Sequence, residues 1–402
     1  MMERKIIHVD LDAFFCSVEE LLDPSLNGIP FAVGGTKGRG VVASCSYAAR
    51  MFGVHSAMPS AQALRLCPQL KFVHHTHHLY GEYSDKVMQI LRDFTPLFQQ
   101  VSVDEAYLDV SDLPQKAGDI AREIQAKVDR QTHLPTSMGV AVNKLVAKLA
   151  NDFGKSRLRT AKAPHAITVV KPGKEAAFMA GLDIQCMLGI GPKTAQKMRS
   201  RGLNTIGDLA ACDDRLLFSL FSDYGPELKE RAQGIDHSKV HSEHDDQKSC
   251  SNETTFSEDS VDLSFLLDKL RTQSEKVGYR LRRDGLAGSV VQIKLRYSDF
   301  TTFTRQKALG VLTNIDEEIY KAAAELLLKN LMRSRPVRLL GVGLSNLDSP
   351  HRQMAFWDDQ FEEKIKLAAA LDSINDRYGK QVVQRASQLY KGKDFRQNGV
   401  DE

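Results

Sequence analysis

The chain has 402 residues, 42% of them apolar and 26% charged, a composition that excludes a disordered or fibrous chain and suits two to four globular domains. A formal charge of +3 is too small to announce a polyanionic partner, so any basic surface must be local. Six scattered cysteines without a CxxC pair argue against a zinc ribbon or a disulfide framework; with no bilayer-length apolar run and no signal peptide before the first strand, a cytoplasmic protein is expected.

The first predicted element is a strand in HVDLDAFF. Ile7, Val9 and Leu11 alternate as in a half-buried strand, which leaves His8, Asp10 and Asp12 on the other face. Carboxylates in a sheet are costly to keep charged without a partner, so a cation is expected opposite them. Phe14 and Phe15 follow, and paired aromatics are usually core. Phe14 has the parity of Asp10 and Phe15 that of the apolar face, but the strand is predicted to end before Phe15, where parity stops applying.

GGTKGRGVVASCSYAARMFGVHSAMP begins like a phosphate loop yet lacks the order GxxxxGK[ST], so a P-loop is unsupported. Within it Tyr47 and Arg50 are three apart in a helical segment, which puts a phenol and a guanidinium on one face, suited to a triphosphate. The histidines of VHHTHH (His74, His75, His77, His78) are not read as a metal site, because adjacent side chains diverge and no cysteine or carboxylate completes a set.

In VSVDEAYLDVS the apolar residues change phase, from Val101 and Val103 to Ala106, Leu108 and Val110, so the strand bends or turns at Asp104 and Glu105. There both acids can lean toward one site. With Asp10 they would make three carboxylates for hard divalent ions such as magnesium. On spacing alone, pairing of these acids with lysines or arginines stands equally open.

Around Thr168 the strand-like pattern gives way to short helical segments. A Gly-x-Gly turn at Gly189 and Gly191 would offer backbone amides to a phosphate, and Lys193 adds charge at the next helix start. Residues 236–247 read as a polar linker. Beyond it, strand 248–256, helix 261–283, strands 289–297 and 301–306, helix 316–332 and strand 337–345 make a βαββαβ sandwich. Residues 276–338 hold thirteen Lys or Arg against six Asp or Glu, and on one strand Gln292, Lys294 and Arg296 share the face opposite Val291, Ile293 and Leu295. One face would then meet the core and the other phosphates.

Taken in order, VDLDAFF, RGVVASCSYAAR with SAMP, SVDEAYLD, GVAVNKLVAKLANDFGK and GIGPKTAQKMRSRGLNTIGDLA resemble the Y-family DNA polymerases over about residues 4–347. The resemblance implies an α/β (α+β) multidomain right hand with a ferredoxin-like palm (1–10 and 75–167), small fingers (11–74), a helical thumb with a helix-hairpin-helix (168–235) and a little-finger domain (248–346), followed by a tail (347–402). It implies two magnesium ions as the missing cations, held by Asp10, Asp104, Glu105 and the Leu11 carbonyl, with Asp12 in support. The same resemblance makes Phe15 the steric gate beside Phe14 at the nucleotide, and gives triphosphate contacts to Ser44, Tyr47, Arg50 and Lys155. The chain departs from the family after FGK, where it reads SRLRTAKAP instead of a Pro followed by a polar-Gly pair. Gly189, Gly191, Lys193, Lys294 and Arg296 would contact primer-template DNA, with deoxynucleoside triphosphates as co-substrates and a monomeric enzyme. In the tail, Gln353, Met354, Phe356 and Trp357 resemble a sliding-clamp-binding peptide; the alternative is that Phe356 and Trp357 dock a helix over 359–377 onto the protein. A catalytically dead adaptor would have lost Asp10, Asp104 or Glu105, and a cyclase would lack the hairpin and the basic C-terminal domain.

Overall fold

A computed structural model describes residues 4–36, 38–158, 160–242, 246–350, 359–379 and 383. It divides into two units, residues 1–244 and 245–402. Among the described residues no helix is long and apolar enough to cross a membrane.

The first unit opens with β1 (Ile6–Leu11), α1 (Phe14–Leu22), β2 (Phe31–Gly34), β3 (Val42–Cys45), α2 (Tyr47–Arg50), α3 (Ser60–Leu66), β4 (Lys71–Val73) and α4 (His77–Arg92). There follow β5 (Phe98–Gln100), β6 (Glu105–Asp109), α5 (Ala117–Thr132), β7 (Thr136–Ala141), α6 (Lys144–Arg157) and β8 (Ile167–Val169). The main sheet has the order β5-β6-β1-β7-β8, so β1 lies at its centre. The expectation of a half-buried β1 is corrected. Ile7, Val9 and Leu11 pack with α1, α4 and α5, while Ile6 packs with Leu145, Val146 and Leu149 of α6, and His8 is fully buried. The polar residues of the second face therefore meet a helix, not water.

That helix sits very close to the sheet. A Cβ at Gly139 of β7 would stand 1.9 Å from the Ala147 carbonyl oxygen and 2.5 Å from the Asn151 amide nitrogen. Gly139→Ala should push α6 off the sheet and cost about 2–3 kcal/mol, read as a lower midpoint of chemical denaturation. An unchanged midpoint would mean the contact relaxes freely.

A smaller sheet, β3-β2-β4, has its own core of Ala32, Val42, Cys45, Ala49, Val54 and Met58. After β8 come α7 (Glu175–Ala180), α8 (Pro192–Arg199), α9 (Ile206–Ala210), α10 (Asp214–Phe221) and α11 (Tyr224–Ala232). Met179, Met198, Leu209, Leu217 and Leu228 join the α6 residues in one core. The start of the expected linker is fastened down: Asp236 accepts from the Leu145 amide at 3.0 Å, and Arg4 donates to the Ser238 carbonyl at 3.0 Å. Its polarity here serves to cap α6, whose first amides have no partner within the helix.

The second unit contains β9 (Ser249–Ser260), α12 (Leu263–Arg283), β10 (Ala287–Tyr297), β11 (Thr302–Thr313), α13 (Asp316–Asn330), β12 (Val337–Asp348) and α14 (Asp359–Tyr378). All strands pair antiparallel in the order β11-β10-β12-β9, and the helix-facing side buries Val291, Ile293, Leu295, Leu340 and Val342. β11 runs seven residues past its expected end, because this edge strand continues through Gly310 at φ +74° with little alternation to betray it. α13 stops earlier than expected, with Leu331 already extended. The helix anticipated at 359–377 is present, and Arg282 of α12 clamps it: Nε and Nη2 donate to Asp372 at 2.6 and 3.0 Å, while Nη1 donates to Asp316 at 2.7 Å.

Candidate active site

The antiparallel register sets Asp10 directly opposite Glu105, so the two carboxylates share one face at the ends of neighbouring strands. Asp104 belongs to the turn that joins β5 and β6. Val101 and Ser102 both donate backbone N–H groups to the Glu105 carbonyl, at 2.9 and 3.2 Å. The Ser102 hydroxyl donates to Asp104 Oδ1 at 2.5 Å and accepts from the Glu105 amide at 3.0 Å. The Leu11 amide donates to the Asp104 carbonyl at 3.0 Å, tying the turn to the end of β1. The expected change of phase is thus a hairpin, and Val101 and Val103 are exposed turn residues instead of strand core.

The cations that face these acids are lysines of α6. Lys155 bonds Asp10 and stands 3.2 Å from Asp12, while Lys148 lies 2.6 Å from Glu105, 3.9 Å from Asp10 and 3.3 Å from Asp152. The pairing alternative left open by the sequence is therefore realised in this structure. Lys148 and Asp152 were missed. Their signal was present, since Lys148, Asp152 and Lys155 follow the i, i+4, i+7 spacing of one helix face.

Asp12 is fully buried and accepts from the Ser137 hydroxyl at 2.8 Å, the His165 amide at 3.1 Å and the Tyr47 hydroxyl at 3.4 Å. It contacts both the phenol and the Lys155 ammonium.

Burial opposes the charged form of Asp10, but the Lys155 ammonium and its hydrogen bond outweigh it and hold the carboxyl below the usual carboxylate range. Asp104 and Glu105 are pushed up, chiefly by burial, with the Asp10 charge adding to it. Burial alone would lower Lys148, yet Asp152, Glu105 and Asp10 together raise it. His8, beneath the site, is driven down to about 3, first by burial and then by Lys148, so it is neutral.

Among the described residues no group of three or more His, Cys, Asp or Glu stands close enough together to hold a metal ion as placed. The donors at hand still fit a hard divalent cation. They are all oxygens, and two of the three carboxylates, Asp104 and Glu105, are pushed up by burial and by the Asp10 charge. Such a site gains most from added positive charge.

Beside the acids, Ser46 caps α2 by accepting from the Ala49 amide at 3.2 Å, and Arg50 lies 4.7 Å from the centre of the Tyr47 ring. The phenol–guanidinium pair expected on one face is present. Ser44 is buried on β3.

The chain reverses between β1 and α1 at Ala13, which holds a left-handed φ of 47°. α1 begins at Phe14, so strand parity ends there, as expected. Phe14 is buried in the core. Phe15 is half-buried and stacks on Tyr80 with ring centres 4.4 Å apart and planes 15° from parallel. The Tyr80 hydroxyl donates to Glu19 at 2.5 Å. Tyr80 escaped the sequence reading because nothing in the polar α4 marked it.

The other predicted contacts belong to other elements. Gly189 has φ +91°, a conformation glycine adopts at little cost, and Gly191 caps α8 with Lys193 in its exposed first turn. On β10, Lys294 pairs with Glu253 at 2.7 Å and Arg296 donates to the Thr302 hydroxyl at 2.7 Å. Gln353, Met354, Phe356 and Trp357 lie outside the described residues.

Comparison with known proteins places these residues in context. The model of the impB/mucB/samB family matches residues 9–152, and that of the family's C-terminal domain matches residues 247–356. The chain is 43% identical over 401 residues to DNA polymerase IV of Dehalococcoides mccartyi, covering 98% of this chain and all of the relative. It is 36% identical over 396 residues to DNA polymerase IV of Opitutus terrae, covering 97% and 99% respectively. Among solved structures, a Y-family polymerase chimera of Dbh and Dpo4 superposes with a TM-score of 0.75 at 26% identity, covering 85% of this chain and 98% of that one. An insertion ternary complex of Dbh DNA polymerase gives a TM-score of 0.59 at 25% identity, with the same coverage of each chain.

Proposed function

Since the chain belongs to the Y-family DNA polymerases and is a DNA-directed DNA polymerase, we propose that it extends primer 3′-hydroxyls by two-metal-ion nucleotidyl transfer at Asp10, Asp104 and Glu105, including opposite damaged template bases. The observation that carries this reading is the meeting of Asp10 and Glu105 across adjacent strands, with Asp104 tied to the end of β1.

When bound by these carboxylates and the Leu11 carbonyl, two magnesium ions would acidify the primer hydroxyl and neutralise the triphosphate and departing pyrophosphate. Arg50, braced on Tyr47, and Lys155 grip the triphosphate, and Asp12 holds Tyr47 and Lys155 in register. Ser44 would join them from β3. Phe15 excludes a ribose 2′-hydroxyl. The amides at Gly189 and Gly191 with Lys193, and Lys294 with Arg296, hold DNA by its phosphates without reading sequence. Palm, fingers, thumb and little finger take the boundaries given above, and the protein acts as a monomer in the cytoplasm.

Primer extension on undamaged and lesion-bearing templates tests the proposal. Extension on both, dependent on magnesium, is the expected outcome; extension that stops at every lesion would remove the translesion role.

The tail would tether the enzyme to the sliding clamp through Gln353, Met354, Phe356 and Trp357, with the two aromatics as pocket-filling anchors. Phe356→Ala combined with Trp357→Ala should abolish stimulation by the clamp and leave synthesis on short primers intact. A retained clamp response with lost thermal stability would make the aromatics packing residues instead.

A further inference from the structure

Resting on that reading of the carboxylates, we propose that Lys148 is a positioning residue: an internal counter-ion that holds Glu105 and Asp10 together before divalent ions arrive and then gives them up to Asp152. One ammonium here is within 4 Å of three carboxylates, at 2.6, 3.9 and 3.3 Å, with only 16% of its side chain exposed. Lysine suits this task, being a compact charge on a flexible stem. Without it, two acids on adjacent strands would repel each other in a partly buried site. With it, both acids share one counter-charge and stay side by side.

The same ammonium competes with the metal. A divalent ion beside Glu105 and Asp10 would repel a cation a few ångströms away, so Lys148 must move as the ion enters. Asp152 provides the place to go. It lies one turn further along the same helix, already in contact, and its side chain is 49% exposed, so it can keep the lysine in a better-solvated position. Lys155 has a different pair of partners, Asp10 and the fully buried Asp12, and makes no ion pair with Asp152 in this structure. The two lysines therefore divide the work: Lys155 stays with Asp10 and Asp12 to meet phosphate, and Lys148 leaves.

Binding of Mn2+ to the full chain without DNA or nucleotide, read by electron paramagnetic resonance of the free ion, tests this apart from catalysis. Lys148→Met should tighten the Kd by about tenfold, because the competitor is gone. Lys148→Gln, which can still hydrogen-bond Glu105, should tighten it similarly and serves if the Met variant folds poorly. Asp152→Asn should weaken binding in the wild-type background and have little effect in either Lys148 variant. Unchanged or weaker binding on loss of the lysine charge overturns the counter-ion role, and an equal Asp152→Asn effect in both backgrounds overturns the transfer. If the wild-type chain takes up no Mn2+ that Asp10→Asn removes, the metal reading itself fails, and this inference fails with it.

Discussion

Asp104→Ala is expected to reduce primer extension by about a thousandfold or more while changing DNA affinity by no more than about twofold. The contrast follows from where the residue sits. Asp104 is in the hairpin turn, bonded to Ser102 and tied to β1 through its carbonyl, so its removal leaves the backbone contacts in place and deletes only an oxygen donor. The DNA contacts proposed above are to phosphates and involve other residues, so affinity should survive. Stability should move the other way. Burial and the Asp10 charge raise the Asp104 carboxyl, so the folded chain keeps that proton to higher pH than the unfolded chain does. The charged form therefore works against folding once pH rises past the ordinary carboxylate range. At neutral pH, with metal chelated, the variant should melt no lower than the parent, and somewhat higher. Substantial residual extension would sink the assignment of Asp104 as a metal ligand; a large drop in melting temperature would make it a structural residue.

Phe15→Ala should raise ribonucleotide incorporation by about a hundredfold relative to deoxynucleotide incorporation. The ring is half-buried, stacked on Tyr80 at 4.4 Å, and follows directly on the turn that leaves Asp10. An alanine there would leave the adjoining Phe14 in the core and the carboxylates untouched, so deoxynucleotide use should fall only modestly. Single-nucleotide kinetics with matched ribo- and deoxynucleotides decide the matter. Unaltered sugar discrimination would move the gate to another side chain.

The fold was legible wherever a pattern had a single physical cause. The alternation of Val291, Ile293 and Leu295 gave β10 and its buried face, because one side of that sheet does meet helices and the other does not. The same logic failed on β1, where polar residues suggested an exposed face that α6 in fact covers; sequence shows polarity but not whether a partner supplies the compensating charge. β5 was invisible because Phe98–Gln100 is too short and polar to alternate. At the site, the Asp104–Glu105 and Tyr47–Arg50 pairs could be read from spacing, since the members of each pair are near one another in sequence, whereas Asp10 joins the acids only through strand pairing. Lys148 was harder to assign: it meets Glu105 across 43 positions, and only the packing of α6 on the sheet makes that contact. Tyr80 is 65 residues from Phe15 and carries no local mark.

The left-handed joint at Ala13 bears on how stiffly the site resists an oversized substrate. An alanine at φ 47° costs about 1 kcal/mol that a glycine would avoid, but a glycine would let the elbow between strand and helix bend. Ser17 braces the same elbow, its hydroxyl donating to the Asp12 carbonyl at 2.7 Å and its amide to the Ala13 carbonyl at 3.0 Å. A wall discriminates only as well as it withstands load: if the Phe15 ring could yield by half an ångström or so, a 2′-hydroxyl would find room. With Asp10 and Phe15 in the roles proposed above, the Ala13 elbow would behave as a stiff spring between strand and ring, setting how much force a misfitting sugar must exert before the site gives way.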